Sequence, residues 1–158
     1  MFVPGLYSED QEWTPRLFSL DVKMGSNENP GYLYREGRAG SIVTARKPEQ
    51  VEVLFTLYQE WFDRFGNDSS LDVRFRNALK NEAARRSVEE LYKHIERLDG
   101  EDLVTVEEIV DRHRDLFVPR ESMAFREKVL SFFVRVFGAR SAAKITRWLI
   151  QWRNKGKH

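Results

Sequence analysis

The chain has 158 residues, 41% of them apolar, with eleven Phe, four Trp and no Cys. This length supports one domain whose core covers about two-thirds of the unfolded chain's surface, and the lack of cysteine excludes disulfide scaffolds, thiolate-bound zinc, iron–sulfur clusters and thiol catalysis. The formal charge of +1 hides a split: Arg120–His158 carries ten Lys or Arg against Glu121 and Glu127, whereas Val51–Pro119 carries sixteen acids against ten bases.

In chain order, residues 1–16 read as an irregular arm, broken by Pro4, Gly5 and Pro15 and anchored by Phe2, Leu6, Tyr7 and Trp13. Leu17–Met24 alternates, with Phe18, Leu20, Val22 and Met24 on one side, the period of a half-buried strand. Tyr32–Arg35 and Ser41–Ala45 flank Gly37-Arg38-Ala39-Gly40 and predict a hairpin. From Pro48 the period becomes helical, with Val51, Leu54, Phe55, Tyr58, Trp61, Phe62 and Phe65 in one stripe closed by Gly66. A second helix is expected over Leu71–Leu98, with a bend or break near Asn81–Ser87, where large apolar residues thin out. Thr105-Val106-Glu107-Glu108 has the capping-box pattern of a new helix. A fourth helix, Ser122–Phe137, is expected to carry Phe125, Val129, Phe132, Phe133 and Val136 and to stop at Gly138. Ser141 is expected to cap a last helix carrying Ile145, Trp148, Leu149 and Trp152.

The expected class is therefore α+β and predominantly α-helical: an N-terminal arm and a small antiparallel β-meander, followed by a four- to five-helix bundle. Residues 1–158 form one domain in this reading, with the arm at 1–16, the meander at 17–47, the helical core at 48–153 and a basic tail at 154–158. No run approaches the roughly 18 apolar residues of a membrane span. The opening residues also lack the basic and apolar regions of a secretory signal, so a cytoplasmic or particle-bound chain is expected.

Chemistry-bearing patterns are sparse. Gly37–Gly40 could present Arg38 and backbone N–H groups to a phosphate, but a strand rather than a helix follows, so it reads as a turn. His113-Arg114-Asp115-Leu116 matches the start of a kinase catalytic loop, yet Arg120 stands where that loop needs Asn. Glu107, Glu108, Asp111, His113 and Asp115 crowd one short helix, as a hard-metal site would require, or as a solvated acidic face would. His94 is expected near the end of an exposed helix face. No nucleophile–base set stands out, and no cofactor is expected.

The C-terminal part offers more. Val134–Leu149 runs helix, Gly turn, basic helix, and resembles the helix-turn-helix DNA-binding motif, although Gly138 to Ile145 is one position longer than the motif's usual spacing. The resemblance would place Arg140, Ser141, Lys144 and Arg147 toward a major groove. More broadly, Arg140, Lys144, Arg147, Arg153, Lys155 and Lys157 bracket Trp148 and Trp152, a composition suited to phosphates, acidic proteins or an interface hot spot. The favoured expectation is a non-enzymatic structural or assembly subunit of a larger, virion- or nucleoprotein-like complex. Its partners would be copies of itself or other subunits, with nucleic acid as a further partner, engaged through the arm and the basic Trp-bearing helix. The alternative is a helix-turn-helix-like regulator using residues 125–153, and the third a metal-dependent enzyme of the acidic helix.

Overall fold

The computed structural model describes residues 9–20, 23, 25, 47–98 and 100–155. Its axis is α3, Val73–Arg97, which is touched by α2 (Pro48–Glu60), α4 (Gly100–Arg112), α5 (Phe125–Phe137) and α6 (Ala139–Lys155). A shorter helix, α1, spans Glu9–Phe18. α2 starts as its sequence predicts, with Pro48 at the first position and Gln50 Oε1 accepting from the Lys47 N–H at 3.0 Å. It runs directly into a π-helical turn, Trp61–Phe65, and its stripe of Val51, Leu54, Phe55, Tyr58 and Trp61 is buried. Phe55 stacks on Phe117 with centroids 6.1 Å apart, and Tyr58 meets Trp61 edge-on at 5.6 Å. Side chains of this size are worth about 1.5–3 kcal/mol each when fully buried, so this cluster dominates the core.

The fold is all-helical, which corrects the expected α+β class: no strand occurs among the described residues. Leu17 and Phe18, read as the start of a strand, instead finish α1, and Glu9–Arg16 is helical rather than an irregular arm. Local bonds sustain this helix despite Pro15: Thr14 Oγ1 donates to Asp10 O at 2.6 Å and Arg16 pairs with Glu12 at 2.8 Å. A contact far along the chain holds it, since Tyr58 donates to Gln11 Oε1 at 3.1 Å and Pro15 is buried. Residues 21, 22 and 24 of the expected strand, both halves of the expected hairpin and the Arg38 loop lie outside the described residues.

Three further boundaries differ from the sequence reading. α3 runs unbroken through Asn81–Ser87 because Ala83, Ala84 and Ser87 are buried there, small side chains that let neighbouring helices approach closely. On its outer face Arg85 pairs with Glu82 and Glu89, and Arg86 with Glu82. α4 begins at Gly100, whose φ of 60° sets the turn, so Thr105 lies mid-helix and spends its hydroxyl on Glu101 O at 3.0 Å. α6 begins at Ala139, immediately after Gly138, without help from Ser141. Its first free N–H is capped from another helix: Asp111 Oδ1 accepts from Ala139 N at 2.8 Å.

Candidate interaction surface on the last two helices

Helices α5 and α6 form a hairpin around Gly138, which adopts φ 85°. Each dock by its smaller residues. α5 buries Leu130, Ser131 and Val134, and α6 buries Ala139, Ala142 and Ala143. The larger apolar residues of the two helices are left in solvent. Phe125 is 84% exposed, Phe132 51%, Trp148 62% and Trp152 70%, with Val136, Phe137 and Ile145 also exposed. Phe133 and Val129 keep an intermediate position, and Phe133 packs on the core.

The exposed groups are neighbours. Between α3, α5 and α6 lies an apolar groove of about 640 Å³, lined by Val88, Tyr92, Phe125, Leu130, Phe133 and Ile145 among others. Phe132 and Phe137 adjoin it through ring contacts with Phe133, at 6.1 and 5.5 Å between centroids. Ile145, Trp148 and Trp152 follow one another at helical spacing and so continue the same face along α6. Glu89, Glu127, Lys93 and Arg126 stand around the groove, with Arg126 over the Tyr92 ring at 5.8 Å.

The basic candidates of α6 divide. Arg140 pairs with Glu107 at 3.2 Å, an acid that is buried rather than part of a solvated face. Arg147 donates from Nε to Ile95 O at 3.2 Å and from Nη2 to Leu98 O. Those carbonyls end α3, so Arg147 caps that helix and opposes the negative end of its dipole. Lys144 is exposed. Arg153 and Lys155 continue the α6 backbone, while Lys157, Arg38, Phe2, Leu6 and Tyr7 lie outside the described residues. Trp13 sits on α1, slightly more than one-third exposed. The link between α5 and α6 is a single residue, shorter than the three- or four-residue turn of a helix-turn-helix motif.

The acidic helix is also engaged internally. Asp111 holds both Ala139 N–H and Arg114 Nε, the latter at 3.0 Å, and Arg112 pairs with Glu52. His113 lies half-buried between Gln59 and Glu52, and burial lowers its pKa, with the Glu52 carboxylate opposing the shift. His94, expected at the surface, is buried, its Nδ1 2.6 Å from Glu90 O. No group of three or more His, Asp or Glu placed to hold a metal ion occurs among the described residues, and no helix among them is long and apolar enough to cross a membrane.

No protein-family model matches this chain, and no curated protein or solved structure matches it.

Proposed function

We propose that this chain is a non-enzymatic assembly subunit that pairs with a second copy of itself through the α5–α6 face. One observation supports the reading above others: two adjacent helices bury alanine, serine and valine while presenting phenylalanine and tryptophan to solvent. Leaving half of a Phe in water forfeits about 1 kcal/mol. Phe125, Phe132, Phe137, Ile145, Trp148 and Trp152 together expose on the order of 700–800 Å² of side chain. That is roughly one partner's share of a standard protein–protein interface.

A second copy fits this face for two reasons. The exposed stripes step by three and four residues along each helix, the spacing that seats one helix against others. The groove rim holds both signs, and Arg126 forms no salt bridge among the described residues, so a twofold axis can bring it against an acid of the second copy. A nucleic-acid role for α6 has less to draw on, because Arg140 and Arg147 serve within the chain.

Light scattering on the purified chain tests the proposal. The wild type should have the mass of a dimer, and Phe132→Asp combined with Trp148→Asp should have the mass of a monomer with unchanged helical content by circular dichroism. A monomeric wild type, or a double variant that stays dimeric, overturns it.

A further inference from the structure

A second region gathers three cations that form no salt bridge among the described residues. The π turn carries Phe62 toward the start of α3 and the segment after Phe117. Lys80 Nζ lies 5.4 Å from the centre of the Phe62 ring, and the Arg120 guanidinium carbon lies 5.7 Å from the same centre. Arg76 stands one turn before Lys80 on α3, so it shares that face. π turns recur at functional sites because they re-aim side chains.

The surrounding charges are accounted for. Arg64 pairs with Glu60 at 2.8 Å and Arg86 with Glu82 at 2.7 Å, so neither adds free charge. Lys80 donates to the Asn67 amide oxygen at 2.7 Å, a neutral partner that leaves the amide N–H₂ as a further donor. Asp68 Oδ1 accepts from the Ser70 hydroxyl and N–H at 2.6 and 2.9 Å, which with the Arg76 charge lowers its pKa, so this carboxylate offsets part of the Arg76 charge without a salt bridge. Arg76, Lys80 and Arg120 make no ion pair among the described residues.

Holding these groups together is costly. Arg76 Nε and Arg120 Nε are both buried without a hydrogen-bond partner, a rare and unfavourable arrangement. Two like charges sharing one ring repel each other. The backbone is shaped to accept this: a Cβ on Gly66 would meet Lys80 Cε at 2.6 Å and Cγ at 2.8 Å, so glycine lets the lysine stem lie across the end of the π turn.

We propose that Lys80 and Arg120, which share the Phe62 ring, and Arg76, one turn before Lys80, form a binding site for a phosphate group. Two guanidinium forks and one ammonium suit an oxyanion with two negative charges, which would offset their mutual repulsion and hydrogen-bond their outer nitrogens. This site lies apart from the groove of α5 and α6 and does not depend on the self-association reading. The phosphate could be free or at the end of a nucleic-acid strand, since the cations recognise the same group in both.

Calorimetric titration tests the site with two probes: pyrophosphate, and a short single-stranded oligonucleotide with or without a 5′-phosphate. Saturable binding of pyrophosphate is expected, weakened about tenfold or more by Arg76→Gln or Arg120→Gln and unchanged by Lys144→Gln. Tighter binding of the 5′-phosphorylated strand than of its unphosphorylated twin would assign the group to a strand end, and binding of pyrophosphate with neither strand bound would assign it to a free phosphate. Lys80→Met keeps the stem over Gly66 and Phe62 while removing the charge, and it should also weaken binding if either arginine variant fails to fold. The proposal is overturned if neither pyrophosphate nor the phosphorylated strand binds saturably, or if binding survives Lys80→Met and the folded arginine variants undiminished.

Discussion

Arg147 offers the sharpest check on the fold, because two of its roles can be told apart. If it were a surface cation waiting for a phosphate, its loss would hardly touch stability, since such changes usually stay within about 0.5 kcal/mol. In the structure it instead satisfies Ile95 O and Leu98 O, the last carbonyls of α3, from across the interface with α6. Hydrogen bonds from a charged donor are worth about 1.5–3 kcal/mol each when buried. These are partly buried and share one side chain, so the pair is worth about 2 kcal/mol, including the favourable meeting with the helix dipole. Arg147→Ala should therefore lower the unfolding free energy by about 2 kcal/mol, a fall in Tm of about 4–8 °C for a chain of this size. Urea and thermal unfolding followed by circular dichroism would measure it, with Lys144→Ala as the exposed control on the same helix. Arg147→Lys keeps the charge but loses the planar fork, and should recover about half. If Arg147→Ala and Lys144→Ala melt together, the cap and the docking of α6 against the end of α3 are misassigned.

Other expectations follow from the same contacts. Gly138→Ala should destabilise by at least about 1–2 kcal/mol in urea melts, because φ is 85°, and the new Cβ would also displace the Arg114 guanidinium. Asp111→Asn should keep most of the α6 cap and Asp111→Ala should lose about 1 kcal/mol, as for other helix caps. The burial that lowers the His113 pKa makes stability pH-dependent: above the unfolded value of 6.5 the ring is neutral in both states, and as pH falls below it only the unfolded chain gains the proton. Stability should thus decline from about pH 6.5 downward, and His113→Gln should flatten that part of the curve in melts at stepped pH.

The sequence carried some of this fold openly. In α2 a single wide stripe of Val51, Leu54, Phe55, Tyr58 and Trp61 had nowhere else to go, and it is the core. Gly138 marked the end of α5 because only glycine adopts its φ cheaply. On α5 and α6, periodicity reveals an apolar face but not which face docks. Ala142 and Ala143 look unremarkable in a sequence, yet they allow the close approach that Trp148 would prevent. The run from Leu17 to Met24 alternated like a strand, but α1 extends through Leu17 and Phe18, stabilised by contacts of the preceding turn and by Tyr58 far along the chain. The charge split was real but partly internal: Glu107 and Arg140 belong to opposite poles and meet within one molecule. Lys80 and Arg120 stand forty positions apart in the sequence, so only the fold shows that they meet over one ring.

The outward-facing stripes of α5 and α6 are the centre of this account, and sedimentation velocity over a concentration range on the order of 1–100 μM tests them most directly. If these stripes pair two copies, the sedimentation coefficient rises with concentration to that of a dimer and falls again as the sample is diluted. A single monomeric boundary across the whole range would contradict it.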